Sequence, residues 1–348
     1  MSDRFLRACR LEPVDATPVW FMRQAGRSFA AYRKLRERYG ILELAKSPGL
    51  CAEVTLMPVR ELGVDAAVLF ADIMLPLEPM GVGLRIEPEI GPIIDRPIRS
   101  AADVAALRSF DPADVSFTLD AIRLVKSELA GAAGVIGFSG APFTLACYLI
   151  EGRPSRDFAT AKAFMYAEPA AWHDLMRRLS VMVAVYLRAQ VEAGADVVQL
   201  FDSWVGGLGP ADYREFVQPH VRRIFAALAD VPTIHFGTGT SALLELLAEA
   251  GGDVIGLDHR VSLADGWRRV GLDRGVQGNL DSARLLAGWE ATRTGALAVL
   301  EEAAGRPGHV FNLGHGVLPQ TNTDLLRRLV DLVHEQTART AVVAEGVA

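Results

Sequence analysis

Short apolar runs rich in β-branched residues recur along this chain, each ending in a glycine or a polar residue. They predict strands at Pro18–Met22, Ala66–Phe70, Val135–Phe138, Val197–Phe201, Thr233–Phe236, Val254–Leu257, Val276–Gly278 and Val310–Leu313. Helical patterns such as Trp172–Ala193, Pro219–Leu228 and Ser241–Ala250 lie between most of them. A strand without polar alternation is buried on both faces, and that means a parallel sheet covered by helices. With right-handed crossovers, eight such units close into a single (β/α)8 TIM barrel, an α/β fold that suits 348 residues. An insertion is expected between the second and third strands, holding a hairpin (Gly83–Arg85 with Pro92–Ile94) and helices near Ala101–Leu107 and Phe117–Leu129. No Pro/Gly/Ser-rich linker divides the chain, so one domain over residues 1–348 is expected.

Helix punctuation agrees with these assignments. Ser47-Pro48 reads as an N-cap followed by proline at the first helical position, opening Gly49–Leu62, within which Pro58 should produce a kink. Glu168-Pro169 opens the long helix that ends at Gly194.

A net charge of −6 argues against nucleic acid as a partner, and a polyanionic ligand would need a local cluster of cations. Cys9, Cys51 and Cys147 are scattered without CxxC spacing, which fits a reducing cytoplasm better than a disulfide framework. The opening Met1-Ser-Asp-Arg-Phe-Leu-Arg lacks the apolar core of a secretory signal. No apolar run reaches the ~18 residues of a membrane span, so no membrane association is expected.

In a barrel of parallel strands, the residues just past each strand meet at one face, where such enzymes keep their chemistry. Here they are Arg23 and Arg27, Asp72, Ser139, Asp202 and Ser203, Thr238, Asp258, Asn279 and His315. Any one of these has a bland alternative, because loops after strands are polar everywhere. The set is harder to dismiss. Phe70-Ala-Asp72-Ile and Phe201-Asp202-Ser203-Trp204 embed polar groups among bulky apolar ones, and a buried carboxylate needs a partner. Arg23-Gln-Ala-Gly-Arg27 places two guanidinium forks where both could clamp neighbouring carboxylates. The alternative is a solvated basic face, to which Arg33, Lys34, Arg36 and Arg38 are assigned.

Two motifs compete with that reading. Gly237-Thr-Gly-Thr-Ser-Ala242 follows a strand and opens a helix, with Asp258 about twenty residues on, as a dinucleotide fingerprint would have it. It would have to head a second domain, which nothing else supports. Gly137-Phe-Ser139-Gly-Ala141 resembles a nucleophile elbow but lacks its last glycine. The histidines form no HxxxH pair and no local zinc spacing; His235 reads as a core residue, and His315 between two glycines as a ligand-facing one.

Pro18-Val-Trp-Phe-Met-Arg-Gln-Ala-Gly-Arg27 is similar to the amino-terminal signature of uroporphyrinogen decarboxylases. Gly137-Phe-Ser-Gly-Ala-Pro-Phe-Thr144, with Tyr148 beyond, resembles their second signature. Asp65 through Asp72, Gln199–Ser203 and Asn312–Gly316 follow in the family's order, and the likeness spans about Phe5 to Val333. The resemblance implies a barrel acting as a homodimer without metal or organic cofactor, removing four acetate carboxyls of uroporphyrinogen III as carbon dioxide to give coproporphyrinogen III for haem synthesis. Carried over position by position, it implies substrate contacts from Arg23, Gln24, Ala25, Gly26, Arg27, Asp72, Tyr148, Ser203 and His315.

The chemistry needs an electron sink, which a ring carbon supplies once protonated. Asp72 has the charge to stabilise the resulting cationic pyrrole. Arg23 would relay the proton from water or a substrate carboxyl, since a guanidinium is itself a poor acid. Phe70, Phe201 and Trp204 would wall the pocket. Two rivals stay open at this point: a zinc-dependent methyltransferase on the same barrel, and a non-catalytic tetrapyrrole carrier.

Overall fold

The computed structural model describes residues 3–87 and 90–339. Seven parallel strands form the main sheet: β1 (Ala66–Val68), β4 (Gly134–Gly140), β5 (Val197–Asp202), β6 (Thr233–Gly237), β7 (Val254–Gly256), β8 (Gly275–Leu280) and β9 (His309–Leu313). They neighbour one another in that order, so each crossover returns the chain to the adjacent position. The apolar runs from the second onward all become strand cores. Every residue of β4, β6, β8 and β9 is buried, as expected of strands covered on both faces.

The expected first strand, Pro18–Met22, is not one. Only Val19 bridges to Phe311 of β9, flanked by Trp20 N–H to the Phe311 carbonyl (3.3 Å) and Phe311 N–H to the Pro18 carbonyl (2.8 Å). On its other side the Val19 carbonyl accepts from Asp65 N–H (2.8 Å), just before β1. The segment therefore hydrogen-bonds to both ends of the seven-stranded series. It fails to form a ladder because side chains replace the missing partners. The Val19 N–H donates to Asp65 Oδ2 (2.7 Å) and the Met22 N–H to Asn312 Oδ1 (3.2 Å). A buried polar chain links non-adjacent positions as well: Trp20 Nε1 donates to Gln277 Oε1 of β8 (2.9 Å), whose amide donates to Gln199 Oε1 of β5 (3.2 Å).

Between β1 and β4 lie an antiparallel hairpin, β2 (Leu84–Glu87) with β3 (Gly91–Ile94), and helices Ala101–Ala105 and Ser116–Leu129. The helix Pro48–Leu62 starts on its proline and contains Pro58, but Ser47 makes no side-chain cap; its carbonyl accepts the Cys51 N–H instead (2.8 Å). The stretch expected as Pro219–Leu228 is the helix Gln218–Ala226, and a separate helix, Pro210–Phe216, precedes it, the two divided at Val217, which leaves helical geometry (φ −125°, ψ −54°). The long helix runs Pro169–Glu192, and Gly194 takes φ +120° just past it. Among the described residues no helix is long and apolar enough to cross a membrane.

Candidate active site

The polar residues beyond the strands separate into two groups once their partners are visible. One group is engaged in fastening loops. Asn279 donates to the Asp258 and Val261 carbonyls (2.9 and 2.7 Å), and Thr238 Oγ1 to the Ser203 carbonyl (2.6 Å). Buried Ser139 donates back to the Gly140 carbonyl (3.2 Å) from within β4, so no nucleophile elbow exists. Asp258 takes the Gly239 N–H, and its place in the dinucleotide-like pattern is thereby explained. A Cβ on Gly206 would strike Thr238 and Gly239, so the glycine-rich turn packs against another loop and leads into a 3-10 turn rather than directly into a helix. His235 is a buried core residue held below its ordinary range, at about 4, by desolvation.

The other group keeps open hydrogen-bonding capacity. Among the described residues, the side chains of Arg23, Arg27, Tyr148, Ser203 and His315 make no hydrogen bond or ion pair within the fold. Arg23 and Arg27 lie on a turn whose Arg23 takes φ +58°. The stem of Arg23 lies against Gly316, where any Cβ would collide with it, so the first arginine and His315 share one corner. The backbone N–H groups of Ala25, Gly26 and Arg27 likewise find no acceptor among the described residues. Gln24 differs: its buried amide takes the Phe21 N–H (3.0 Å) and donates to the Ala66 carbonyl (2.9 Å), locking the turn to β1. Only its backbone could meet a ligand. Arg33, expected on a solvated face, is exposed but also grips the Arg27 and Ser28 carbonyls (2.8 and 2.9 Å), a supporting role that the charge pattern hid.

Asp72 is half-buried after β1. Its Oδ1 accepts the Met74 N–H (2.9 Å), which fixes the carboxyl and leaves Oδ2 open. Burial pushes its pKa up, while the Met74 hydrogen bond and the Arg23 charge pull back toward the anion. Tyr148 is pushed up to about 12 by burial and by the Asp72 charge, so it stays a hydroxyl. His315 is held down by desolvation first and then by Arg23, His259 and Arg260. Aromatic rings stand on the β1–β6 side: Tyr32 on Phe70 (5.6 Å), Phe138 on Phe201 (5.3 Å), Phe201 on Phe236 (6.1 Å) and Tyr148 on Trp204 (5.9 Å).

Asp202, the last residue of β5, is fully buried, with Oδ1 accepting from Thr144 Oγ1 (3.0 Å) and Oδ2 without a partner among the described residues. Desolvation raises its pKa to about 7. The folded protein thus holds this proton more tightly than the unfolded chain does. The resulting stability is fully present below the ordinary carboxylate range and is lost as pH rises toward about 7. Asp202→Asn imitates the neutral form. It should therefore raise stability at pH 8 by at least ~1 kcal/mol and flatten the decline between pH 4 and 7. Denaturant titrations across that range check this, and an unchanged pH profile would remove Asp202 as its source.

The Uroporphyrinogen decarboxylase (URO-D) family model matches residues 1–336. The chain belongs to this family. It is 56% identical over 344 residues to a uroporphyrinogen decarboxylase of Roseiflexus sp. (strain RS-1), covering 97% of this chain and 99% of that one. It is also 56% identical over 337 residues to a uroporphyrinogen decarboxylase of Sorangium cellulosum, covering 96% of each. Among solved structures, a methyltransferase from Methanosarcina mazei superposes with a TM-score of 0.81 over 96% of this chain and 98% of that one. At 19% identity that likeness speaks for the fold alone. Past its strand ends this chain thus carries two arginines, Arg23 and Arg27, without side-chain partners among the described residues, a carboxyl anchored on the Met74 N–H, and paired aromatic rings. Among the described residues, no three His, Cys, Asp or Glu side chains are grouped to hold a metal ion.

Proposed function

We propose that the chain removes the four acetate carboxyls of uroporphyrinogen III as carbon dioxide, giving coproporphyrinogen III, within one (β/α)8 barrel spanning residues 1–348. The Val19 segment would stand in the place of the barrel's first strand, held by a single bridge rather than a ladder, and the hairpin with its helices would be an insertion between the second and third. The observation that carries the catalytic reading is Asp72: one oxygen is pinned by Met74, the other open, near the Arg23 guanidinium, which has no side-chain partner among the described residues.

Each cycle starts with a proton added to a pyrrole carbon, which makes the ring an iminium-like cation. The bond from the side-chain CH2 to its carboxylate then breaks. Carbon dioxide leaves, and the bonding pair neutralises the ring. A second proton at the exocyclic carbon, with loss of the first from the ring, completes the methyl group. Asp72 Oδ2 accepts ring N–H groups and stabilises the cation. Arg23, Arg27, His315 and the N–H groups of Ala25, Gly26 and Arg27 receive carboxylates, while Tyr148 and Ser203 supply single hydrogen bonds. Water or a substrate carboxyl relayed by Arg23 delivers the proton. No cofactor enters the scheme. Three buried thiols suit a cytoplasmic protein, and a homodimer is the expected assembly.

Anaerobic incubation of the purified, chelator-treated protein with uroporphyrinogen III tests this. Carbon dioxide release and accumulation of a tetracarboxylate product are expected. Binding without release would favour a carrier, and activity that returns only with added zinc would overturn the cofactor-free scheme. Light scattering on the same sample should give twice the chain's mass.

A further inference from the structure

Side chains with donors to spare do not stop at Arg23 and Arg27. The loop after β7 carries His259 and Arg260, both exposed, on the same side of the mouth as His315. A Cβ on Gly314 would strike the His259 backbone, so this loop is packed directly against the turn that bears His315. Arg260 is pre-oriented. Its Nη1 donates to Asp258 Oδ2 (2.7 Å), a carboxylate only 2% exposed whose other contacts are the Gly239 and Arg260 N–H groups. The remaining donors of Arg260, its Nε and Nη2, have no acceptor among the described residues, and His259 has none either. Arg260 also borders a cleft of about 340 Å3 that continues past His259, Asn279, Asp281 and Arg284. The cleft's acids are already engaged at helix starts, Asp281 with the Ala283 N–H (3.0 Å) and Glu302 with the Ala264 N–H (3.1 Å).

Around the mouth the hydrogen-bond donors are therefore unevenly placed. Aromatic rings occupy the β1–β6 side, and Arg23, Arg27, His315, His259 and Arg260 occupy the rest. A porphyrinogen with eight carboxylates needs more than two guanidiniums, and its four propionates reach further from the ring than its acetates. The acetate that reacts must lie close to half-buried Asp72, whereas a rim guanidinium is 56% exposed. Resting on the decarboxylase reading, we propose that His259 and Arg260 form a second carboxylate receptor that takes a propionate of the substrate, with Arg260 as the charged fork and Asp258 holding it in place.

The test is steady-state kinetics on Arg260→Gln and Arg260→Lys, with coproporphyrinogen III as a product inhibitor. A propionate persists through all four cycles. Loss of its receptor should therefore raise KM for uroporphyrinogen III and the product inhibition constant by the same factor, about tenfold or more, with kcat within a few-fold. Lysine keeps the charge but not the fork and should recover part of that factor. Equal KM in wild type and Arg260→Gln overturns the proposal. So does a raised KM with unchanged product inhibition, since the contact would then be to an acetate. A loop merely loosened by the substitution would lower kcat and thermal stability together, and lysine would not rescue it selectively; that pattern also overturns the proposal. A wild-type protein that releases no carbon dioxide at all would fail the decarboxylase reading instead.

Discussion

Asp72→Asn is expected to fold normally and to lose about a hundred- to a thousand-fold in kcat, the ~3–4 kcal/mol that a preorganised electrostatic partner contributes. The substitution keeps the volume and, through its amide oxygen, the Met74 N–H contact. It then turns an N–H toward the place where ring N–H groups must dock. Since the cationic ring exists only on the way to the transition state, kcat should fall more than KM rises. A pH profile gives a second readout. Burial raises the Asp72 pKa, and in the proposed scheme the anion is the working form. The acidic limb of the wild-type rate should therefore lie above the ordinary carboxylate range and vanish in the variant. An Asp72→Asn protein turning over within a few-fold of wild type would take Asp72 out of the mechanism; one with a lowered melting point and proportionate activity would make it structural.

The strands were legible in the sequence because burial on both faces writes itself as continuous apolar runs. Where the structure departs from that reading, a side chain has taken the place of a backbone partner. Pro18–Met22 has strand-like composition, yet Asp65 and Asn312 satisfy its N–H groups and only one bridge remains. Phe70 shows the same effect at the other end of β1. Its N–H turns to Thr55 Oγ1 (2.9 Å) and its carbonyl to Cys51 Sγ (3.0 Å), so the strand stops at Val68. Neither replacement leaves a local mark in composition.

The polar residues at the strand ends were legible as a set but not in their division of labour. Thr238 and Ser203 look alike in sequence, and only the fold shows that the Thr238 hydroxyl is engaged by the carbonyl of Ser203. Gln24 sits inside the arginine-rich turn, and its amide points into the core. The glycine-rich turn matched a dinucleotide fingerprint in spacing for local reasons of its own: a Cβ on Gly237 would strike Thr240 and the Asp202 carbonyl, and Gly239 takes φ +69°. Arg260 was hidden for a simpler reason: an exposed arginine beside an aspartate reads as a surface ion pair. Its partner's near-complete burial is a property of the fold.

Asp65 stands at the opposite end of β1 from Asp72 and is expected to matter for a different reason. Its Oδ2 accepts the Val19 N–H (2.7 Å) and His334 Nε2 (2.8 Å), and its Oδ1 accepts Arg4 Nη1 (3.2 Å). One carboxylate, 6% exposed, thus joins the helix Arg4–Cys9, the Val19 segment, the root of β1 and the helix Thr323–Thr337. With Nε2 donating to the carboxylate, the 3.3 Å approach of Arg4 Nη1 to the same nitrogen is a meeting of two donors that only the shared anion holds together. Asp65→Ala leaves the Val19 N–H buried without an acceptor and removes that anion, at a cost of about 3–5 kcal/mol. Asp15→Ala, which breaks only the exposed half of the Arg4 arrangement, should cost less than ~1 kcal/mol. Because the carboxylates of Asp65 and Asp72 act at opposite ends of the strand, kcat per folded molecule should survive Asp65→Ala at low temperature. Urea midpoints for the two variants, with kcat measured on the same preparations, decide it. A midpoint for Asp65→Ala equal to wild type would mean that the ends of the chain are held together without this carboxylate.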